Sequence, residues 1–370
     1  MFTINGKYAN ATIYTDNVEP KTLQQITLLL RQKFTEGSSI KIMPDCHAGK
    51  GCVIGTTMTF TDKVVPCLVG ADIGCGVLAI KLKQKNIDLK ELDQTIRKFV
   101  PHGYSLHNHD VTPISNPQYE NIKAKIEFNR VPRSLGTLGG GNHFIAIETD
   151  DEFLYLIIHS GSRHLGNTIS KYYSQVAANK YLSREDRDSL PPELAYLDGN
   201  DMENYINDAL IAQRFARQNR FMIAQEIMEN MNLDMFDFID TIHNYIEKYD
   251  DSQFILRKGA VKADYDELLI IPLNMRDGSI ICRGKGNPEW NKSAPHGAGR
   301  VLSRSEAKAT LSMNEYEKTM NGIYTTSINR STLDESPMAY KPADEIIKHI
   351  HETVTVEKRI KPIYNFKSSK

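Results

Sequence analysis

The sequence lacks the features that mark membrane, secreted and strongly basic proteins. No apolar run approaches the roughly eighteen residues that a membrane-spanning helix needs. The first residues contain no basic segment followed by a long apolar one, so we expect no secretory signal and predict a cytoplasmic location. With 45 Lys and Arg residues against 46 Asp and Glu residues, the formal net charge is −1. This balance excludes a wholly basic nucleic-acid binder but leaves room for a local basic groove.

Cysteine is scarce, and its spacing argues against a disulfide scaffold. The chain has 5 cysteines, and Cys46, Cys52, Cys67 and Cys75 lie close together without the CxxC spacing of a metal knuckle. The 11 histidines are more informative, because several stand in glycine-rich motifs. A neutral imidazole can serve both as a metal ligand and as a nucleophile.

Short apolar runs broken by glycine alternate with helical patterns, which predicts a mixed α+β fold. Strands are predicted at 40–45, 52–60, 64–74, 76–82, 142–148, 153–159, 268–273 and 279–284. Helices are predicted at 21–34, 89–99, 202–231, 303–313 and 343–354. No composition shift marks a linker, so we expect one compact α+β domain spanning residues 1–370.

Two stretches carry many polar residues. The proline-bearing segment 100–129 is interpreted as a surface loop. Along the helix predicted at 202–231, Arg214, Arg217 and Arg220 recur every third residue. This spacing favours a solvated helix face over a track that binds phosphates.

Five side chains in unusual settings are candidate metal ligands. Asp72 and Cys75 lie in the glycine-rich motif GADIGCG, His143 follows three glycines, His159 precedes SGSR, and His243 stands beside an amide. Each alone is better explained structurally: the cysteine as a buried small residue, the aspartate as a turn cap, the histidines as hydrogen-bonded core residues. Together they would suit one or two Mn²⁺, Fe²⁺ or Zn²⁺ ions.

The motif HGAGRVLSR indicates an anion-binding corner. Glycine amides and a helix N-terminus bind phosphate, and Arg300 and Arg304 would neutralise its charge. In that setting His296 is a candidate nucleophile at phosphorus, although a turn residue explains this histidine equally well. Lys258 and Lys50 are further candidates for phosphate contacts, or ordinary surface lysines.

The order of these motifs resembles the RtcB family of RNA-splicing ligases. The resemblance covers nearly the whole chain and rests on MPDCHAGKG, VGADIGCGV, LGTLGGGNHF, HSGSR, HNYIEK, RKGA, HGAGRVLSR and AYKPADEII. It implies a compact fold with a central β-sandwich, flanking helices and a metal-containing cleft. It also implies an enzyme dependent on GTP and Mn²⁺ that joins an RNA 3′-phosphate or 2′,3′-cyclic phosphate to a 5′-hydroxyl.

The resemblance assigns roles to individual residues. Asp72, Cys75, His143, His159 and His243 match metal ligands, with Cys75 similar to a thiolate that bridges two ions, and His296 matches the histidine that accepts GMP. Four residues match positions that contact the nucleotide phosphates: Asn142, Arg163, Lys258 and Arg300. Tyr340 and Lys367 fall near the guanine pocket. Asn274, in the segment 272–278 that replaces a family loop, and Ser279 are further candidates for nucleotide binding.

One departure concerns the nucleobase. The family usually has a glutamate that binds the guanine edge at the position of Ala146, whereas here the nearest carboxylate is Glu148. On a strand these two residues share a face, roughly 6.6 Å apart. We therefore expect weaker discrimination of GTP from ATP than in the family pattern, with GTP still preferred.

Three functions are compatible with these residues. An RNA ligase is the first choice, and a metal-dependent RNA-end phosphodiesterase or phosphatase that does not join ends is the second. A noncatalytic RNA-end binder ranks last. The presence of His296 favours the ligase, since hydrolysis needs metals and water but no covalent nucleotide.

Overall fold

The computed structural model describes residues 1–111, 119, 121–127, 129–181, 183–184 and 190–368. The strands are β1 (Phe2–Asn5), β2 (Asn10–Ile13), β3 (Ile40–His47), β4 (Ile54–Phe60), β5 (Lys63–Val64), β6 (Gly76–Leu82), β7 (Phe144–Thr149), β8 (Leu154–Ser160), β9 (Leu197–Asp198), β10 (Met235–Ile242), β11 (Asn244–Lys248), β12 (Phe254–Lys258), β13 (Ala260–Lys262), β14 (Leu268–Asn274), β15 (Gly278–Gly284), β16 (Ser293–Pro295) and β17 (Val354–Lys367). The helices are α1 (Pro20–Leu30), α2 (Leu89–Phe99), α3 (Val131–Ser134), α4 (Arg163–Tyr181), α5 (Gly199–Met231), α6 (Arg304–Thr310), α7 (Met313–Thr319) and α8 (Ala343–Ile347).

Two large sheets form the framework, and the mixed α+β class is confirmed. One has 6 strands in the order β1-β2-β3-β4-β12-β11, with a parallel pairing only between β2 and β3. The other has 7 antiparallel strands in the order β10-β6-β8-β7-β17-β15-β14. Its two outer strands, β10 and β14, approach each other: the amide of Ile270 on β14 donates to Thr241 Oγ1 on β10 at 3.3 Å. The larger sheet therefore curls.

The long helix α5 joins the cores of both sheets. Its first half packs Tyr205 and Phe215 into the cluster beneath the 6-stranded sheet. Its second half packs Ile223 and Ile227 against the 7-stranded sheet. Within the described ranges, no helix combines the length and apolar character needed to cross a membrane.

The arginine prediction for this helix is wrong at one position. Arg214 and Arg217 are exposed, as a solvated face requires. Arg220 is fully buried, pairs with Asp240 at 2.7 Å, and donates to the carbonyl of Gly74 at 2.9 Å. It therefore ties α5 to the loop that precedes β6.

Most predicted elements are confirmed, and four need correction. The predicted helix 21–34 ends at Leu30, and a separate 3₁₀ turn covers Lys33–Thr35. The predicted strand 64–74 is wrong, since β5 ends at Val64 and Pro66 begins a short 3₁₀ turn. The predicted helix 343–354 ends at Ile347, and Val354 already belongs to β17. The predicted helix 303–313 is two helices, α6 and α7, joined at residues 311–312.

The predicted surface loop 100–129 is only partly exposed. Residues 112–118, 120 and 128 of this stretch lie outside the described residues. Of the rest, Tyr119 and Ala124 are buried in the main core, and the amides of Lys123 and Ala124 donate to the buried carboxylate of Asp208 at 3.1 and 2.9 Å. This part of the chain is anchored against α5.

Candidate active site

The five predicted metal ligands meet at one edge of the 7-stranded sheet. His243 follows the end of β10, Cys75 precedes β6, His159 lies near the end of β8, and His143 precedes β7. These strands are neighbours in the order β10-β6-β8-β7 and run antiparallel. The C-terminal ends of β10 and β8 therefore lie beside the N-terminal ends of β6 and β7. Asp72 reaches the group from the loop before Cys75. Chain direction alone therefore brings residues from distant parts of the sequence together.

Cys75 is the centre of this cluster. Its Sγ lies 3.4 Å from His143 Nε2 and 3.3 Å from His159 Nε2. The Nε2 atoms of His159 and His243 are 3.4 Å apart, and His143 Nε2 is 3.0 Å from Asp72 Oδ2. The residues form two groups that share Cys75. One group is Cys75, His159 and His243, and the other is Asp72, Cys75 and His143. Within each group the candidate ligand atoms lie within 4.8 Å of one another.

Hydrogen bonds orient the imidazoles toward the sulfur. The Nδ1 of His143 faces the carbonyl of Leu138 at 2.9 Å, and the Nδ1 of His159 faces the carbonyl of Asn142 at 3.1 Å. A carbonyl only accepts, so Nδ1 of His159 carries the proton and the lone pair of its Nε2 points into the cluster. A histidine in this tautomer is ready to bind a cation.

The electrostatics of the cluster fit a divalent ion. Burial lowers the pKa of His159 and His243 well below the ordinary value, which keeps both rings neutral. Burial would raise the pKa of Asp72, but the hydrogen bond from His143 and nearby positive charge outweigh it and hold the pKa at about 2. Burial and Asp72 raise the pKa of the Cys75 thiol, an effect that a bound cation would reverse.

The loop that carries Asp72 and Cys75 is pressed against α5. Gly74 has φ +78°, and a Cβ at this position would lie 2.8 Å from the backbone of Gln213 and 2.9 Å from Ala216 Cβ. Only glycine accommodates both the left-handed conformation and the close approach of the helix. The glycines of this motif are therefore explained by packing as well as by ligand geometry.

A cleft of about 400 Å³ opens above the cluster. Among its lining residues are most of the predicted site residues: Asn142, His159, His243, Lys258, Asn274, His296, Arg300, Tyr340 and Lys367, together with Lys50 and Arg304. Asp72, Cys75 and His143 lie beneath the cleft. Arg163 lies behind His143, with Nη1 3.2 Å from its Nδ1. Ser279 is fully buried behind the wall of the cleft.

His296 is oriented by a carboxylate that the sequence analysis missed. Its Nδ1 lies 2.7 Å from Asp45 Oδ2, and the amides of His296 and Gly297 donate to the same oxygen at 3.2 Å. Asp45 is fully buried in β3. The Nδ1 contact is an ion-pair distance without hydrogen-bond geometry, so the two backbone amides are the groups that hydrogen-bond to Asp45. Asp45 belongs to the motif MPDCHAGKG, so a signal was present in the sequence.

The helix predicted from residue 303 is present, but it does not begin next to His296 in the chain. Helix α6 begins at Arg304, with Ser303 as its cap. The chain between them turns at Gly299, which has φ +73° and passes so close to Asp45 that a Cβ would lie 2.3 Å from the aspartate carbonyl. Backbone amides that could bind an anion next to His296 would therefore belong to this turn and not to helix α6.

Three positive side chains of the cleft, Arg300, Arg304 and Lys367, converge on a second carboxylate that the sequence analysis missed. Glu335 is buried, and its oxygens lie 2.9 Å from Lys367 Nζ and 3.4 Å from Arg300 Nη1. Tyr340 donates to it at 2.7 Å. Burial would raise its pKa, but Lys367, Arg304 and Arg300 hold it at about 2. Glu335 therefore fixes the cations in place.

Glu148 lies in the wall of the cleft. Its Oε1 accepts a hydrogen bond from Ser279 at 3.1 Å, while Oε2 has no partner among the described residues. Asn365, which pairs with Ala146 across β17 and β7, also lines the cleft, and its Oδ1 is likewise unpartnered within the described chain. Burial raises the pKa of Glu148 to about 8. Two unsatisfied oxygens thus face the same space.

The fold and the site define an α+β protein with a candidate metal centre beneath a cationic cleft, and sequence comparison identifies its family. The profile of the family described as "tRNA-splicing ligase RtcB" matches residues 33–127 and 114–368. The chain is 32% identical to RNA-splicing ligase RtcB of Escherichia coli K12, over 92% of each chain. It is 28% identical to tRNA-splicing ligase RtcB of Aeropyrum pernix, over 93% of this chain and 90% of that one. The chain belongs to the RtcB family.

Proposed function

We propose that the protein is a GTP-dependent RNA ligase that joins an RNA 3′-phosphate or 2′,3′-cyclic phosphate to a 5′-hydroxyl end. The observation that carries the proposal is the His296–Asp45 pair, which lies in a cationic cleft above five candidate metal ligands. The relatives named RNA-splicing ligases support it. The proposal includes a single domain with the family's β-sandwich, a cytoplasmic location, and a role in RNA repair or tRNA splicing.

The metal centre would be held by two sets of side chains. Cys75, His159 and His243 would bind one ion, and Asp72, Cys75 and His143 a second. The family resemblance favours Mn²⁺. A bound divalent ion supplies charge stabilisation to phosphoryl oxygens during displacement at phosphorus.

His296 is the nucleophile in this proposal. Asp45 would accept a hydrogen bond from the Nδ1–H of the ring, and the lone pair of Nε2 attacks the α-phosphorus of GTP while the bond to pyrophosphate breaks. Lys258 and Arg300 neutralise the triphosphate. GMP then passes from His296 to the RNA 3′-phosphate, and the 5′-hydroxyl oxygen displaces GMP to form the phosphodiester.

The nucleobase is selected by the wall that contains Glu148. An ionised carboxylate accepts hydrogen bonds from the N1 and N2 donors of guanine, and adenine offers no matching donors. Ser279 holds Glu148, and Asn365 and Lys367 border the same space. Glu148 thus takes over the function of the family's glutamate, which Ala146 lacks.

Incubation with Mn²⁺ and each labelled nucleoside triphosphate, followed by mass spectrometry, tests the proposal. We expect GMP on His296, and His296→Ala should abolish the label while metal content stays unchanged. Label that persists in His296→Ala would refute the assignment. An unlabelled wild-type protein that still opens 2′,3′-cyclic phosphates would instead support the phosphodiesterase alternative.

A further inference from the structure

Two cysteines outside the metal cluster lie against each other. Cys52 precedes β4, Cys67 lies in the 3₁₀ turn Pro66–Leu68, and their sulfurs are 3.2 Å apart. A disulfide bond is roughly 2.05 Å long, so a small movement would join them. Cys52 is buried, whereas Cys67 is partly exposed. Neither residue belongs to the groups that contain Cys75.

Lys258 completes this cluster. Its Nζ lies 2.9 Å from Cys52 Sγ and 2.8 Å from the carbonyl of Cys67. Lys258 is 8% exposed, and no carboxylate in the described part of the chain lies within ion-pair distance of it. A buried ammonium without a carboxylate partner requires another counter-ion. The sulfur of Cys52 is in the position to provide one as a thiolate.

The thiols differ in ionisation. Burial would raise the pKa of Cys52, but the hydrogen bond with Cys67 and the charge of Lys258 outweigh it and lower the pKa below the ordinary thiol value. The pKa of Cys67 is raised, because its hydrogen bond with Cys52 and its partial burial favour the neutral thiol. These opposite shifts favour a Cys52 thiolate beside a Cys67 thiol. A thiolate beside a thiol is the reactive form for oxidation.

We infer that Cys52 and Cys67 are an oxidation site that a peroxide converts to a disulfide, with Lys258 as the activating cation. A thiolate of the pair attacks one oxygen of hydrogen peroxide, so an S–O bond forms, the O–O bond breaks, and hydroxide leaves. The second thiol then attacks the sulfenic sulfur. The S–S bond forms and the S–O bond breaks. The hydroxyl group of the sulfenic acid leaves as water, together with the proton of the second thiol.

The reaction changes the charge beside the cleft. It consumes one molecule of peroxide and removes the negative charge of the Cys52 thiolate, which pairs with Lys258. Because Lys258 lines the cleft beside His296, oxidation leaves an unpaired cation in its wall. The modification site does not depend on the proposed ligase activity, and thiol mapping tests it without any RNA or nucleotide.

The experiment treats the metal-loaded protein with hydrogen peroxide at pH 7 and maps the thiols over time. Cys67 and Cys75 lie on the same tryptic peptide, 64–81, so fragmentation spectra must separate them. We expect a Cys52–Cys67 disulfide to form before Cys75 or Cys282 reacts, and dithiothreitol to reverse it. Cys282→Ser should behave as wild type, whereas Cys67→Ser should form no disulfide. The inference would be overturned if the Cys75 thiol reacted before the Cys52–Cys67 disulfide formed, or if that disulfide did not form.

Lys258 variants test the activating charge. Lys258→Met should slow disulfide formation at least about tenfold at pH 7, because the thiolate fraction of an ordinary cysteine is small there. Lys258→Arg keeps the charge and should retain most of the rate. Thermal unfolding of both variants shows whether the fold is kept. A folded Lys258→Met that oxidises as fast as wild type would remove Lys258 from the inference.

Discussion

At the scale of single residues, Cys75 has the most central position, because its sulfur belongs to both groups of candidate ligands. A residue that binds only one ion would affect that ion alone when replaced. A shared sulfur should affect both, since ions in two-metal sites lie roughly 3.5 to 4 Å apart and can be bridged by one atom. The ligand groups therefore predict a specific stoichiometry.

We expect Cys75→Ala to lose both bound metal ions. Elemental analysis after dialysis measures the metal content per chain, and Cys282→Ala is the matched control, because that cysteine is fully buried outside the ligand groups. The control should keep its metal. Full occupancy in Cys75→Ala would contradict the shared role.

In the proposed mechanism, Asp45 positions His296 without contacting the substrate. Asp45→Asn keeps the shape but can present an N–H donor to the ring, which would disturb the tautomer that leaves Nε2 free. We expect the rate constant for GMP labelling at saturating GTP to fall by about a hundredfold to ten-thousandfold. The GTP concentration that gives half the maximal rate and the metal content should stay the same. A loss of metal or of thermal stability equal to the loss of rate would show a structural role instead.

Glu148 predicts a pH-dependent choice of nucleotide. Below its raised pKa of about 8 the carboxyl is neutral, and a neutral carboxyl can pair with adenine N1 and N6. Above that pKa it is ionised and accepts the guanine donors. The ratio of GTP to ATP labelling rates should rise about tenfold between about pH 6.5 and 8.5. Glu148→Gln should give a flat ratio, and an equally steep rise in that variant would contradict the prediction.

At the scale of elements, the sequence predicts strands best where both faces are buried. Every residue of β8 is buried, so its apolar run is unambiguous. The run 64–74 is also largely apolar but forms turns, because Pro66 lacks an amide donor and Gly70 and Gly74 adopt positive φ. Apolar content alone does not separate these two cases, whereas the proline and the glycines do.

Elements with weak periodicity escaped prediction. The first half of β17 is largely exposed, so charged residues interrupt its strand pattern. Helix α4 contains Gly166 and a mixture of polar and aromatic residues, which obscures its apolar face. Both are held by tertiary packing: β17 pairs with β15 and β7, and α4 packs into the core beneath the 6-stranded sheet. Local sequence carries little of that information.

At the scale of the whole molecule, the cleft is built by contacts between distant segments. The candidate metal ligands could be proposed from the sequence, because glycines mark four of them and a neighbouring amide side chain marks His243. Asp45 and His296 are separated by 251 positions, and no local pattern relates them. Glu335 gives no signal of its own, since its role depends on the cations that surround it. The fold was therefore needed to find these two carboxylates.

The metal centre also predicts how the whole protein responds to a chelator. Its candidate ligands come from four separate segments, which the unfolded chain would not hold together, so ions should bind the native state in preference. Such an ion at about 100 times its dissociation constant stabilises the native state by about 2.7 kcal/mol per site. We expect EDTA to lower the unfolding temperature by several degrees and excess Mn²⁺ to restore it. Calorimetry measures the shift in unfolding temperature, and Cys75→Ala should show almost no shift. If the wild-type protein is equally stable with and without EDTA, the cluster binds no ion tightly.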